Sequence, residues 1–298
     1  MRTHPRTRSR PCTETGPVHR TLPDRPMRSA TTAIRSASGQ SVNRLWALLR
    51  PAYEYLVLYG GVLLFGLSVF SWSVVAAVLY PLLPRRFGSR LGRFTIMAIF
   101  RGFLGVLQAS GLVKCDLSAL DALRDDGALI IAPNHPSLLD AVLVVSRLPQ
   151  VVCIMKAEIR DNLILGGGAR LAEYIRDDVP FTMIRSAAVA VRDGSQLLVF
   201  PEGTRTRQPA GYHFKGGFAL IAKTARVPVQ TVFIETNSLF LSKGWPLFRK
   251  PVFPLIYRAR LGRRFEVKGD VKALVSGLEC YFRDSLVAGK SIHVDPEQ

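Results

Sequence analysis

Cysteine and histidine are both scarce in this sequence, with four and five copies among 298 residues. The cysteines lie far apart and form no C-x-x-C pair; they are Cys12, Cys115, Cys153 and Cys280. This spacing is typical of neither a disulfide framework nor a zinc site, and it indicates inert buried thiols in a reducing compartment. Because the acidic residues are not clustered with the few histidines, the sequence predicts no metal site.

Signatures of several other protein classes are also missing. The chain contains no G-x-S-x-G motif, which argues against an α/β-hydrolase, and no P-loop, which argues against nucleotide hydrolysis. It has no zinc-ligand spacing, no basic helix joined to heptads and no aromatic strand motif for RNA, so nucleic acid is not an expected partner. The net charge is nevertheless +18. Basic surface next to apolar segments favours anionic lipid head groups instead.

The first 50 residues carry much of this charge, with ten arginines, no lysine and only two acids, Glu14 and Asp24. Residues 1–43 are rich in Arg, Pro, Ser and Thr and contain few large apolar side chains. Such a segment cannot bury enough apolar surface to offset the entropy of ordering its chain. We therefore expect a disordered basic tail over residues 1–43.

A long apolar segment follows this tail. Residues 55–84 contain no charged side chain, and this length exceeds the roughly 20 residues that a helix needs to cross a bilayer. We predict one membrane helix over Tyr55–Leu79, with a bent helix or a re-entrant hairpin as the alternative because three glycines weaken it. A second apolar helix is expected over Leu91–Ser110, in the membrane interface or against the following domain. Its Arg93 and Arg101 side chains are expected to reach for lipid head groups.

Beyond these segments, short apolar runs alternate with helical stretches, which predicts an α/β fold. Residues 44–112 would then form a membrane-anchoring region and residues 113–298 the α/β domain. The candidate strands are Ala128–Ala132, Val151–Met155, Gln196–Phe200, Val229–Ile234, Val252–Tyr257 and Phe265–Lys268. The candidate helices include Ala188–Arg192, Gly217–Thr224 and Val271–Leu286. The run Gly166-Gly167-Gly168 lacks the G-x-G-x-x-G pattern, so we interpret it as a flexible turn.

The segment from Asn134 to Asp140 carries the first chemical signal. Its sequence is Asn-His-Pro-Ser-Leu-Leu-Asp, and it joins a predicted strand to the helix expected at Leu138–Val145. His135 therefore lies in a strand-to-helix turn, where Asp140 can reach back to one imidazole nitrogen and leave the other free to accept a proton. Ser137 and Asp140 also fit a capping box, so the alternative is a carboxylate that only holds the helix start.

A second signal follows at the end of the strand Gln196–Phe200. The sequence there is Phe200-Pro201-Glu202-Gly203-Thr204-Arg205, in which proline and glycine are expected to fix a tight loop. The two motifs together resemble the lysophospholipid acyltransferases of the 1-acylglycerol-3-phosphate acyltransferase type. Both motifs are intact and occur in that family's order, and the resemblance covers about residues 128–237.

The resemblance implies an activity and a setting. A membrane-bound O-acyltransferase of this family would move a fatty acyl group from acyl-CoA or acyl-carrier protein to the hydroxyl of a lysolipid such as 1-acylglycerol-3-phosphate. His135 would act as general base with Asp140 beside it, and no cofactor would be needed. The fold would be a mixed sheet flanked by helices behind a hydrophobic anchor. The catalytic domain would face the cytoplasm from the cytoplasmic membrane, with membrane lipids as partners.

The resemblance also implies residues that bind phosphate. Arg205 would present its guanidinium fork to the acceptor phosphate, and Glu202, Gly203 and Thr204 would contribute to the same loop. Lys156, which follows a predicted strand, would contact the phosphate of the acceptor or of the coenzyme, or would simply be solvated.

Two further segments depart from the family's pattern. A motif of the form G-x-x-F-I-x-R is matched only loosely by residues 173–177, so Arg176 is a candidate phosphate contact and Arg185 is its rival. A later proline-rich strand motif keeps only Pro228. These departures leave two alternatives open. One is an acyltransferase that uses a different acceptor, and the other is a catalytically inactive protein that binds membrane surfaces.

Overall fold

The computed structural model describes residues 30–162, 166–205, 213–246, 249–267 and 269–288. The chain divides into two compact units, Met1–Leu49 and Arg50–Gln298. Within the first unit the described residues are helical, as part of a helix that begins at Ala30. Residues 1–29 of the predicted tail lie outside the described residues. Residues 30–43 were expected to be disordered and are helical instead, since this stretch contains no proline to stop a helix.

The helices and strands follow one another along the chain with short connections. The helices are α1 (Ala30–Leu82), α2 (Arg85–Ala109), α3 (Asp140–Val145), α4 (Ala157–Asp161), α5 (Gly166–Leu171), α6 (Pro180–Arg192), α7 (Gly217–Ala225) and α8 (Val271–Ala288), with a 3-10 helix at Ser118–Leu123. The strands are β1 (Val113–Asp116), β2 (Ile130–Pro133), β3 (Val151–Met155), β4 (Ile175–Arg176), β5 (Gln196–Leu198), β6 (Val229–Thr236) and β7 (Leu255–Phe265).

Helices α1 and α2 pack side by side as an antiparallel hairpin. The Tyr53 hydroxyl of α1 donates a hydrogen bond to the carbonyl of Ser110, just past the end of α2, at 2.7 Å. Further along α1, the ring of Phe65 lies 4.6 Å from the ring of Phe103. Early residues of α1 thus meet late residues of α2, which is the arrangement of two helices that run in opposite directions.

By length and composition alone, Ala47–Leu82 and Arg85–Ala109 are each long and apolar enough to cross a membrane. The first is unbroken and extends beyond the predicted Tyr55–Leu79, so the chain turns back after α1 and not within it. The glycines of α1 do not interrupt the helix. A Cβ on Gly61 would lie 3.1 Å from the side chain of Leu107, so this glycine brings α1 close to α2.

Helix α2 packs on the sheet-bearing part of the chain through Arg93, which contradicts the prediction that this side chain reaches for head groups. Arg93 is buried, and it donates from Nε to the carbonyl of Ala172 at 3.0 Å and from Nη1 to the hydroxyl of Ser195 at 2.9 Å. A Cβ on the neighbouring Gly92 would lie only 2.7 Å from the nitrogen of Ala172. Because α2 lies this close to Ala172, the buried guanidinium of Arg93 can reach hydrogen-bond acceptors, which it requires in the absence of water. Arg101 is exposed.

The run Gly166-Gly167-Gly168 begins helix α5, and the predicted flexible turn is wrong. All three glycines are buried. A Cβ on Gly167 would collide with the carbonyl oxygen of Ser73 in α1, and one on Gly168 would lie 2.8 Å from the ring of Trp72. These glycines are needed because two helix backbones approach closely, and composition alone cannot reveal that neighbour.

Gly167→Ala should lower the free energy of unfolding by about 1–3 kcal/mol, the usual cost of overpacking, because its methyl group meets backbone that cannot rotate away. Gly105→Ala in α2 is the matched control, since no described atom lies within 4 Å of its Cβ. There alanine should be neutral or should stabilise by about 0.5–1 kcal/mol. Thermal unfolding in detergent measures both variants, and equal stabilities would contradict the proposed contact.

The seven strands form one mixed sheet in the order β1-β7-β6-β2-β5-β3-β4. Strands β6, β2, β5, β3 and β4 pair in parallel, whereas β7 runs antiparallel to β6 and parallel to β1. All four residues of β2 are buried, so the centre of the sheet is the centre of the core. The predicted α/β fold with a mixed sheet flanked by helices is confirmed.

The sequence prediction is wrong for three strands at the sides of the sheet, β1, β4 and β7. Val252–Tyr257 and Phe265–Lys268 were predicted as two strands, but Leu255–Phe265 is a single strand. Arginines alternate with apolar residues along its first half. The strand is therefore not a continuous apolar run, which is the pattern that was used to predict strands. Strands β1 and β4 were not predicted, since they are short and carry charged residues.

The parallel strands place their carboxyl ends at one edge of the sheet. His135 follows β2, Lys156 follows β3, Arg176 ends β4 and Glu202 follows β5. The β6–β7 connection, which we define as residues 237–254, leaves the sheet at the same edge. Ligands of α/β sheets bind beyond the carboxyl ends of strands, so this edge is where a site is expected.

Candidate active site

His135 and Asp140 are joined by a hydrogen bond between Nδ1 and Oδ2 at 2.9 Å. The same carboxylate oxygen accepts the backbone N–H of Ser137 at 2.7 Å. Helix α3 begins at Asp140, so the predicted Leu138 start is two residues too early. The catalytic and capping interpretations are therefore compatible, because one carboxylate oxygen serves both the imidazole and the turn. With Nδ1 held in this way, Nε2 is the nitrogen that can accept a proton.

The carboxylate of Asp140 is fully buried, whereas the His135 side chain is 15% exposed. Burial raises the pKa of Asp140, and the hydrogen bonds from His135 and Ser137 and the charge of Arg205 offset this only in part. Its Oδ1 has no hydrogen-bond partner among the described residues. An ionised carboxylate is costly at this position, and such perturbed groups cluster at functional sites.

Wild-type protein should lose stability relative to Asp140→Asn as the pH rises from about 4, near the ordinary aspartate pKa, through the raised pKa of the folded state. The folded protein keeps this proton to a higher pH than the unfolded chain does, so stability falls as the pH rises across that window. Asparagine does not titrate. Melting temperatures of both proteins, measured side by side between about pH 4 and 8, would test this. A constant difference would argue against a raised pKa.

The second motif holds the first in place. Glu202 is buried, with 6% of the residue exposed, and its carboxylate accepts the backbone N–H of His135 at 3.1 Å. The ring of Phe200 stacks on the imidazole with centroids 3.9 Å apart and planes 19° apart. Glu202 was predicted as a contact within the phosphate-binding loop, and the structure gives it a direct bond to the histidine segment. The stacking of Phe200 was not predicted.

The loop after Phe200 is tight, as its proline and glycine indicate. Gly203 has φ +67°, and its N–H donates to the carbonyl of Phe200 at 3.0 Å. A Cβ on Gly203 would lie 2.7 Å from Cδ and Cε of Lys215, so this lysine crosses directly over the loop. Gly203 and Thr204 are exposed. Lys215 is therefore a further cation at the loop, and no sequence pattern identified it.

Arg205 connects this loop to the β6–β7 connection, which the structure describes at residues 237–246 and 249–254. Its Nη1 donates to the carbonyl of Leu241 at 2.8 Å and to that of Ser242 at 3.3 Å. From the first motif, the Ser137 hydroxyl donates to the carbonyl of Phe240 at 3.0 Å. Both motifs thus share one supporting segment, which sequence reasoning missed because backbone carbonyls leave no trace in composition. Within the described residues, Nε and Nη2 of Arg205 form no hydrogen bond.

Lys156 and Arg176 share the sheet edge with His135 but lie farther away. Strands β3 and β4 are two and three positions from β2, which corresponds to roughly 10 and 14 Å at the usual strand spacing. Arg176 forms ion pairs with Asp161 at 3.0 Å and Asp178 at 2.7 Å. Lys156 is exposed, as is Arg185 on α6. The structure therefore brings together the histidine, the aspartate and the glutamate-to-arginine loop, and it keeps Lys156 and Arg176 apart from them.

The described side chains that could bind a metal ion are not grouped into a site. Among the described residues, no group of three His, Cys, Asp or Glu side chains is arranged to hold a metal ion. Burial raises the pKa of Cys115 to about 11 and that of Cys153 to about 12. Both thiols are therefore poor nucleophiles at neutral pH.

The sequence of this chain is similar to those of known acyltransferases. Residues 114–235 match the family model described as Acyltransferase, and this range contains both motifs. The chain is 26% identical over 232 residues to a 1-acyl-sn-glycerol-3-phosphate acyltransferase from Limnanthes alba, which covers 76% of this chain and 79% of that protein. It is 25% identical over 250 residues to the Homo sapiens 1-acyl-sn-glycerol-3-phosphate acyltransferase beta, with coverage of 78% and 87%.

A solved structure supports the fold. The chain is similar to the crystal structure of the 1-acyl-sn-glycerophosphate (LPA) acyltransferase from Thermotoga maritima, with a TM-score of 0.55. The match covers 85% of this chain and 99% of that one, at 19% sequence identity. At this identity the likeness concerns the architecture alone.

Proposed function

We propose that this chain is an enzyme similar to the acyltransferase family and that it acylates the hydroxyl of a lysolipid such as 1-acylglycerol-3-phosphate at a membrane. The donor would be acyl-CoA or acyl-carrier protein. The observation that carries this proposal is the hydrogen bond from His135 Nδ1 to the buried Asp140, at the carboxyl end of β2. The apolar hairpin of α1 and α2 supports a membrane setting, because acceptor and product are both lipids.

The proposed reaction is a direct transfer. Nε2 of His135 takes the proton of the acceptor hydroxyl as its oxygen attacks the thioester carbonyl. A carbon–oxygen bond forms, the carbon–sulfur bond breaks, and the imidazolium returns its proton to the leaving thiolate. Asp140 stabilises the imidazolium while it carries the positive charge. No enzyme-bound acyl group is required, in keeping with a site that has no nucleophilic serine or cysteine motif.

We propose that the acceptor phosphate and the phosphates of the donor bind to different cations. In 1-acylglycerol-3-phosphate the phosphate and the free hydroxyl are on adjacent carbons, so the acceptor phosphate must bind close to His135. Arg205 and Lys215 lie on the loop after β5, next to β2, and we assign the acceptor phosphate to them. Lys156 and Arg176, two and three strands away, suit the more distant phosphates of a coenzyme or carrier arm. The ion pairs of Arg176 also favour this division.

Radiolabelled acyl transfer by purified, detergent-solubilised protein tests the proposal. Palmitoyl-CoA and acyl-carrier protein would be offered as donors, with 1-acylglycerol-3-phosphate and a panel of other lysolipids as acceptors. We expect product with 1-acylglycerol-3-phosphate, and a KM for this acceptor that rises in Arg205→Ala but not in Arg176→Ala. Transfer to another lysolipid alone would favour the different-acceptor alternative. Failure with every pair would favour the inactive, membrane-binding alternative.

A further inference from the structure

The stretch between Glu235 and Glu266 contains no acidic residue. Its seven basic residues are Lys243, Arg249, Lys250, Arg258, Arg260, Arg263 and Arg264. Acids from other elements pair with four of them, so most of the arginines on β7 are already neutralised. Lys243 and Arg249 are exposed and form no ion pair within the described residues. Both belong to the β6–β7 connection, which therefore carries uncompensated positive charge.

The same connection exposes apolar side chains. Leu239 is 59% and Val252 is 64% exposed. Between them, the guanidinium of Arg249 lies 5.1 Å over the ring of Trp245, whose indole N–H donates to the carbonyl of Arg249 at 2.9 Å. The tryptophan also packs edge-on against Phe240, with centroids 5.8 Å apart. Exposed aliphatic groups beside tryptophan and basic residues are typical of segments that lie in a membrane interface.

The connection also lies between the apolar hairpin and the active site. At one end, Lys250 forms an ion pair with Glu54 of α1, and its ammonium lies 5.2 Å over the ring of Tyr55. At the other end, the carbonyl of Leu241 accepts from Arg205 of the second motif. A surface that binds lipid here would continue the apolar surface of α1 directly to the edge of the sheet that carries His135.

We propose that the described part of the β6–β7 connection, residues 237–246 and 249–254, is a second membrane contact, which binds an anionic phospholipid bilayer beside the active site. Leu239 and Val252 enter the interface, and Lys243 and Arg249 bind the anionic head groups. The inference rests on the proposed function only in taking the acceptor to be a lipid. An active site held against the bilayer would receive that lipid without moving its acyl chain through water, where exposure of apolar surface is unfavourable.

An environment-sensitive fluorophore on the connection tests this directly. NBD would be attached to Leu239→Cys or Val252→Cys in the full chain, in which serine replaces Cys12 and the exposed Cys280. Cys115 and Cys153 can stay because burial suppresses their thiolates. Leu220→Cys on α7, at a side chain that is 41% exposed, is the matched control. Each protein is reconstituted into phosphatidylcholine vesicles with and without phosphatidylglycerol.

We expect the emission from positions 239 and 252 to shift to shorter wavelength and to be quenched by nitroxide-labelled lipid, more strongly with phosphatidylglycerol. The control position should keep emission typical of water. Lys243→Glu with Arg249→Glu should remove the effect, whereas Lys272→Glu on the exposed face of α8 should not. Water-like emission at 239 and 252, or equal signals in the two kinds of vesicle, would overturn the proposal. The signal does not depend on turnover, so it separates this inference from the proposed reaction.

Discussion

His135→Ala should abolish acyl transfer while the protein still folds. Without the imidazole, no described group at the end of β2 is placed to take the proton of the acceptor hydroxyl, and a general base contributes about 10²–10⁴ in rate. The loss should appear in kcat, because the histidine acts on the hydroxyl and does not hold the phosphate. Steady-state transfer assays at saturating acceptor measure it, and the melting temperature reports whether the variant is folded.

The matched control is His213→Ala, which removes an exposed histidine. It should keep wild-type kcat. Full activity in His135→Ala would refute the proposed mechanism. A variant that melts well below the wild type would leave its loss of activity attributable to misfolding, and His135→Gln, which keeps a polar side chain of similar size, would then be used in its place.

Asp140→Asn should lower kcat by up to about 10⁴, the loss seen when an orienting carboxylate becomes an amide in a related arrangement. The amide oxygen can still accept the two hydrogen bonds that Oδ2 accepts, from His135 and Ser137. What disappears is the negative charge that stabilises the imidazolium. The KM for the acceptor should therefore change little, since this side chain is fully buried.

Asp193→Asn, at an exposed aspartate directly after the end of α6, serves as the control and should behave as wild type. A wild-type kcat in Asp140→Asn would show that the carboxylate only caps the turn.

Asp140→Asn should therefore change stability and activity in opposite directions. The negative charge of Asp140 lowers the stability of the wild type above the pKa of the unfolded chain, and the same charge is needed for the reaction. The variant should thus be less active but should lose less stability at high pH.

The chemical core of the site could be predicted from the sequence because its geometry is local. His135 and Asp140 are five residues apart in a strand-to-helix turn, and this spacing fixes their contact almost independently of the rest of the fold. The central strands were also predictable, since β2 and β3 are continuous apolar runs and β6 contains the apolar run Val232–Ile234. Strand β3 was predicted with its observed bounds, Val151–Met155.

Contacts between distant segments could not be predicted. Arg93 appeared to be a lipid-facing side chain because its sequence neighbours are apolar, but its partners come from residues about 80 and 100 positions later. The three glycines of α5 were predicted as a turn because the contact that requires them, with Ser73 of α1, involves a residue far away in the sequence. The carbonyls of Leu241 and Ser242 offered no signal at all. In each case the deciding neighbour is remote, and a periodic pattern reports only on nearby residues.

Helix α2 of the hairpin contributes side chains to the hydrophobic core of the α/β domain, so the hairpin cannot be removed or replaced independently of that domain. Ile96 and Leu104 of α2 belong to the same buried cluster as the strands of the sheet, and Arg93 bonds to the Ser195 hydroxyl just before β5. A shortened chain that begins at β1 would expose that cluster to water, so cutting off the apolar helices should produce aggregates and not a soluble enzyme. For the same reason, the hairpin could not be exchanged for an unrelated pair of helices without redesigning the interior that it helps to fill.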